Sequence, residues 1–309
     1  MNNREKTGIQ IWRMIYPLLI FFGLDIFLET VVMYGYIFFR GIDGGLSVEN
    51  ITELIEDSTR FLLSVSIYLT LARSAILVPI FLVLMRADRK RDVQYGRPVK
   101  FTSFNPAYYF VIILLGAAAA IGINYVVSMG AGMLQEFLNI IIKTLTGREN
   151  VIDLFAAFND VADIIYSGGI VIQILATAVA APLVEELLFR GLIYKRIRVL
   201  VKPVWAAVIS AAIFGLAHGN FIQFVYAFIL GLLFAYVYEK FKTIWIPVAL
   251  HAGANLVSVV ITNVVPEDYE FSVGILLAVV AATLIISAAL VYYVHKTVKV
   301  EPVNNNSEV

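Results

Sequence analysis

The chain is a succession of long apolar runs separated by short polar ones. Runs near the roughly 20 residues that a helix needs to cross a bilayer recur at 15–39, 62–85, 107–128, 168–188, 204–218, 221–238, 245–263 and 272–294. The pattern predicts an all-α, polytopic membrane protein of about eight transmembrane helices. Composition agrees: 60% of residues are hydrophobic and 15% charged, with a mean hydropathy of +0.85, against about 25% charged in a soluble domain. The first run carries Asp25 and Glu29 and has no small-residue cleavage site, so it reads as a retained span rather than a signal peptide.

Net charge is zero, which offers no argument for nucleic acid, and no cysteine is present, which removes disulfides, thiolate metal ligands and cysteine nucleophiles. The charges inform through their placement. With the N-terminus in the cytoplasm, Arg4, Lys6, Arg13, Arg86, Arg89, Lys90, Arg91, Arg97, Lys100, Lys195, Arg196, Arg198, Lys202, Lys240, Lys242, Lys296 and Lys299 all fall inside. The outer loops collect Glu49, Glu53, Glu56, Asp57, Asp153, Asp160, Asp163, Glu267, Asp268 and Glu270. Both termini are therefore expected to be cytoplasmic. Segments 41–60, with Ser47 as an N-cap, and 130–165 read as short amphipathic helices on the outer face. Gly116, the alanines after it and Gly122 read as a packing face. The asparagine-rich tail from Pro302 to Val309 reads as disordered.

Ionisable groups inside spans are costly and so are functional candidates. The fourth span ends in APLVEELLFRG, with Glu185, Glu186 and Arg190; His218 ends the fifth; His251 and Asn255 lie in the seventh; Asp25, Glu29 and Arg73 lie in the first two. Glu186 and Arg190 are four apart and pair on one helical face, while Glu185 is rotated by about 100° and left free to act as a general base. His251 and Asn255 also share a face, an imidazole fit to polarise or bind metal beside an amide fit to donate to developing negative charge. Phe214, four before His218, packs beside it. Each group has a plainer reading: a structural ion pair or a transporter's proton site for the glutamates, interfacial or interhelical hydrogen bonding for the histidines, and a charge-cancelling interhelical pair for Asp25, Glu29 and Arg73. The aromatic residues of the sixth span, among them Phe221, Tyr226, Phe234 and Tyr238, read chiefly as lipid-facing or core residues, with a substrate groove as the alternative.

Taken together, E-E-x-x-x-R at Glu185–Arg190, F-x-x-x-H at Phe214–His218 and H-x-x-x-N at His251–Asn255 resemble the ordered signature of the CAAX-protease and bacteriocin-processing (CPBP) family of intramembrane proteases. The signature covers about 168–262; the first hundred residues carry no matching motif. The resemblance implies an endopeptidase acting on a membrane-associated protein, or on a hydrophobic or lipid-modified peptide, in the membrane of a cell, by implication the bacterial plasma membrane. By motif position Glu185 is the general base, His218 helps activate the water, His251 and Asn255 stabilise the oxyanion, and Glu186 and Arg190 hold these groups in place. Glu185, His218 and His251 are equally able to hold zinc, so metal-dependent and metal-free hydrolysis both stay open; H-E-x-x-H is absent. The implied organisation is a two-helix membrane region with a basic cytoplasmic loop at 1–106, the protease-like core at 107–295 and a tail at 296–309. A non-catalytic immunity or binding protein and a proton-coupled transporter are the competing functions; no internal repeat supports the latter.

One tension is geometric. His218 is fifteen residues past Pro203, about 22 Å along an ideal helix, whereas Glu185 and His251 sit near the inner ends of their spans. The fifth segment must tilt, bend near Gly215 or start outside the bilayer, or the fourth must continue toward Arg198. The last is expected, since no breaker precedes Pro203.

Overall fold

The computed structural model describes residues 3–44, 51–94, 104–159, 168–266, 269 and 271–298. Eight principal helices follow in order: α1 (Asn3–Gly44), α2 (Ile51–Gln94), α3 (Tyr108–Thr146), α4 (Ile170–Arg198), α5 (Pro203–Leu216), α6 (Phe221–Phe241), α7 (Trp245–Val264) and α8 (Val273–Thr297). There is no strand among the described residues. The protein is an all-α, multi-pass membrane protein. Seven of the helices are long and apolar enough to cross a bilayer. The fifth apolar run, expected as a full span, is not: α5 has 14 residues, about 21 Å at 1.5 Å per residue, against roughly 30 Å of hydrocarbon.

Several boundaries also depart from expectation. Residues 51–60 are not a separate amphipathic helix but the first turns of α2, where Asp57 pairs with Arg60 at 3.2 Å. The third span does not end near residue 128; α3 continues to Thr146 and stops at Gly147, which takes the left-handed conformation (φ 72°). The chain then folds back along α3. Asn139 donates to the Ile152 carbonyl at 3.0 Å and accepts from its N–H at 2.9 Å, and Gln135 accepts from the Leu154 N–H at 2.7 Å. Ser47, Asp160, Asp163, Glu267, Asp268, Glu270 and the Pro302–Val309 tail lie outside the described residues.

The expected continuation of the fourth span is present. α4 runs to Arg198, so Glu185 lies thirteen residues, about 20 Å, from its end. Two stretches of α4, Ile174–Ala180 and Leu187–Tyr194, are wound as π-helix. The far end of α4 is fastened to the first two helices by a buried ionic knot. Asp88 of α2 accepts from Arg13 at 2.5 Å and from Arg196 at 2.7 Å; Arg196 also donates to the Tyr16 hydroxyl at 2.9 Å and to the Arg13 carbonyl.

α3 and α7 pack most intimately, because glycines remove the side chains that would separate them. A Cβ on Gly116 would lie 2.0 Å from the Leu250 carbonyl oxygen, and one on Gly253 2.3 Å from that of Ile113. The packing face expected at Gly116 is thus real, and it seats the helix turn that carries His251. We predict that Gly116→Ala lowers stability by about 1–3 kcal/mol, read as a fall in melting temperature in detergent, whereas Gly130→Ala, with nothing within 4 Å of its Cβ, does not lower it.

Candidate active site

The structure brings five of the seven sequence-predicted residues to one cavity of about 580 Å³: Glu185, Phe214, His218, His251 and Asn255 all line it. Glu186 and Arg190 stand behind this wall, each fully buried. The two glutamates are therefore divided as their helical phase requires: Glu185 retains 16% side-chain exposure, Glu186 none.

Arg190 organises the sealed layer. Its Nη1 donates to Glu186 Oε1 at 2.9 Å and its Nη2 to the Gly231 carbonyl at 2.9 Å. The guanidinium lies 4.7 Å from the Phe214 ring centroid and 5.0 Å from that of Phe234, a favourable setting for a desolvated cation. Glycine at 231 is what lets α6 come this close, since a Cβ there would sit 3.1 Å from Arg190 Nη2.

Glu186 in turn orients His251, whose Nδ1 is 3.2 Å from Glu186 Oε1. A carboxylate only accepts, so this nitrogen carries the proton and the ring presents Nε2 to Glu185, 3.8 Å from its Oε2. The His251 ring is stacked on Phe234 at 4.7 Å and meets Phe214 edge-on at 5.8 Å. His218 is held in the same manner: Nδ1 is 2.8 Å from the Phe214 carbonyl, which fixes that nitrogen as the donor, and the ring packs edge-on against Phe214 at 4.8 Å. Both imidazoles are pinned through Nδ1, leaving Nε2 for chemistry.

His218 reaches the site because α5 stops early. The chain turns at Gly219 (φ 77°), and the Asn220 side chain caps α6 by accepting from the Gln223 N–H at 2.9 Å. His218 thus occupies the bend of a helical hairpin rather than the end of a full span.

Asp25 and Arg73 form the expected interhelical pair, at 2.8 Å. Sequence reasoning missed that Arg73 also lines the cavity, with Thr70 of α2, Asn124 and Tyr125 of α3, and Gln223 and Tyr226 of α6. Asn124, polar within an apolar span, was the available signal. Tyr226 and Phe234 give part of the aromatic sixth span a cavity-lining role, while Phe241 is core and Phe221 is exposed.

Among the described residues no three His, Asp or Glu side chains are grouped closely enough to hold a metal ion, so Glu185, His218 and His251 do not form a zinc site in this arrangement.

A helical membrane bundle that buries a Glu–Arg pair behind a glutamate and two histidines on a cavity wall has the composition of a water-activating hydrolase site. Residues 167–257 match the family described as type II CAAX prenyl endopeptidase Rce1-like. A Bacillus subtilis (strain 168) protein named "Putative membrane peptidase YdiL" is 29% identical over 84 residues, 27% of this chain and 34% of the relative, so the chain spans about a third of that relative's length in the alignment. Over these residues the chain is similar to the Rce1-like family and to the named membrane peptidase. No solved structure matches the chain significantly.

The burial pattern separates a sealed residue from a partly exposed one in the same motif. Arg190→Met, which strands Glu186 without its cation, is predicted to cost about 3–5 kcal/mol, and Glu186→Gln in the same chain to restore much of it. Glu185→Gln, at the cavity wall, is expected to stay within about 0.5 kcal/mol of wild type. Thermal denaturation of the four proteins checks both.

Proposed function

We propose that the protein is an intramembrane endopeptidase that hydrolyses a peptide bond of a membrane-associated protein, or of a hydrophobic or lipid-modified peptide, with water activated at Glu185. The observation that carries this reading is the pairing of Glu185 Oε2 with His251 Nε2 across 3.8 Å on the wall of a 580 Å³ cavity. Glu185 takes a proton from water as the oxygen attacks the scissile carbonyl carbon, assisted by His218 Nε2. The resulting oxyanion receives a hydrogen bond from Asn255 Nδ2, and one from His251 Nε2 when the ring, already carrying a proton on Nδ1, has taken a second from solvent. Glu185 returns its proton to the leaving amine, the C–N bond breaks, and acid and amine products result. Glu186 and Arg190 hold His251 and do not touch substrate. The segment match at 167–257 and the named membrane peptidase support the reaction class.

The distribution of basic residues supports cytoplasmic termini, and the Bacillus relative a bacterial plasma membrane. Within this reading 107–295 is the catalytic core, 1–106 a two-helix region that adds Thr70 and Arg73 to the cavity, and 296–309 a tail.

Purified protein is to be assayed on fluorogenic CAAX-type and leader-type peptides. Glu185→Gln is predicted to reduce cleavage by about 10²–10⁴-fold while the folded state persists; equal cleavage by both proteins would remove Glu185 from the chemistry. A chelator arm decides the metal question. Loss of activity restored by zinc supports a metal-dependent route, with Glu185, His218 and His251 as the candidate ligands, and undiminished activity supports the metal-free route.

A further inference from the structure

The α4 helix changes register just before its glutamates. The Ala181 N–H donates to the Ala176 carbonyl, five residues back, as the π stretch Ile174–Ala180 closes. In that register the next N–H would be that of residue 182, and its acceptor the Thr177 carbonyl. Residue 182 is proline and has no N–H. The Thr177 carbonyl is instead met from α7: Asn255 Nδ2 donates to it at 2.7 Å. A proline within a membrane helix is tolerated where a neighbour satisfies the carbonyl it frees. Here the neighbour is a member of the proposed catalytic set.

An asparagine amide nitrogen carries two N–H donors in a plane. With one anchored on Thr177, the direction of the other is set, and Asn255 lines the cavity together with Thr177 and Glu185. A second amide tether holds the two helices in the same relation, two helical turns further along α7: Asn263 Nδ2 donates to Gln173 Oε1 at 2.6 Å. The Thr177 hydroxyl is occupied by the Gln173 carbonyl at 2.6 Å, so the Thr177 contribution to Asn255 is its backbone oxygen.

We infer that Pro182 is a positioning residue. By withholding an N–H from α4 it turns the Thr177 carbonyl into a socket that holds one Asn255 N–H and aims the other at the substrate carbonyl. The inference rests on the endopeptidase reading and gives it a part that spacing between motif residues does not contain. It also assigns the proline of A-P-L-V-E-E a chemical role distinct from bending the helix.

The test is a double-mutant cycle on the full-length, detergent-purified protein: Pro182→Ala, Asn255→Ala and both together, read by melting temperature and by kcat and KM on the fluorogenic peptides. In the parent chain Asn255→Ala strands the partly buried Thr177 carbonyl and lowers Tm by roughly 3 °C. In the Pro182→Ala background a backbone N–H is available to that carbonyl, and the same change lowers Tm by less than about 1 °C. Pro182→Ala alone lowers kcat by about tenfold or more with KM unchanged, and adding Asn255→Ala brings little further loss. Leu183→Ala, which leaves the proline in place, combines additively with Asn255→Ala in Tm and kcat. Pro182→Ser supplies the N–H by a second route should Pro182→Ala fail to accumulate.

Additive Tm shifts for Pro182→Ala and Asn255→Ala would overturn the socket. Coupled Tm shifts with an unchanged kcat would overturn its positioning role. If wild type cleaves no peptide, the endopeptidase reading loses its support while the Tm cycle still decides the socket, so the two failures are told apart.

Discussion

A carboxylate that no water reaches has to be compensated where it stands, and Glu186 is that carboxylate. Breaking a buried ion pair costs far more than forming one gains, so such a pair specifies an arrangement more than it stabilises a fold. Glu186 Oε1 takes Arg190 from its own helix and His251 from α7. Arg190 needs the Gly231 carbonyl and the faces of Phe214 and Phe234, which commits α5 and α6 to their places. His251 reaches Glu186 because α7 lies against α3 at Gly116 and Gly253. A displacement of any of these helices would leave a desolvated charge unpaired, and the cavity residues inherit their positions from that constraint.

Much of this was legible in the sequence, for reasons that can be stated residue by residue. The eight apolar runs gave the eight helices because a membrane helix must satisfy its own backbone and so follows hydropathy closely. The four-residue spacing of Glu186 and Arg190 gave their pairing, since neither lies beyond reach of the other in α or π winding. Helix lengths were less legible. α1, α2 and α3 extend past their apolar runs into sequence whose polarity marks the end of the hydrocarbon, not of the helix, and it takes Gly147 to stop α3. The shortness of α5 depends on the turn at Gly219 and Asn220, whose composition alone does not say whether it lies at the surface or within the bundle.

The π stretches of α4 left no periodic signal, because register in a nearly uniform apolar helix is set by where carbonyls find partners outside it: Thr177 in the first stretch meets Asn255 of α7, and Phe189 in the second meets Ser210 of α5. The far wall of the cavity was unreadable for a related reason. Arg73 and Glu185 are separated by more than a hundred residues, and nothing local to either indicates a shared cavity; the juxtaposition is a product of packing. α2 runs parallel to α4, with Ile67 against Gly168 near one end and Met85 against Gly191 near the other, and the Asp88 knot fixes that register.

This packing divides the labour of the site. All the groups proposed to act on the scissile bond lie within 167–257, the segment that the family match covers, and they are held by contacts among α4, α5, α6 and α7, with α3 seating α7 at Gly116 and Gly253. Thr70, Arg73, Asn124 and Tyr125, outside that segment, close the cavity from the other side. Arg73 brings a cation held by Asp25 on one nitrogen, with its Nε unpartnered among the described residues. A substrate in contact with Glu185 must also fit against this wall. The cavity is therefore closed partly by α2 and α3, outside the matched segment, and partly by Gln223 and Tyr226 of α6, within it. Under the proposed endopeptidase function a peptide beside Glu185 meets both sets of helices, so α2 and α3 share with α6 in deciding which peptide fits.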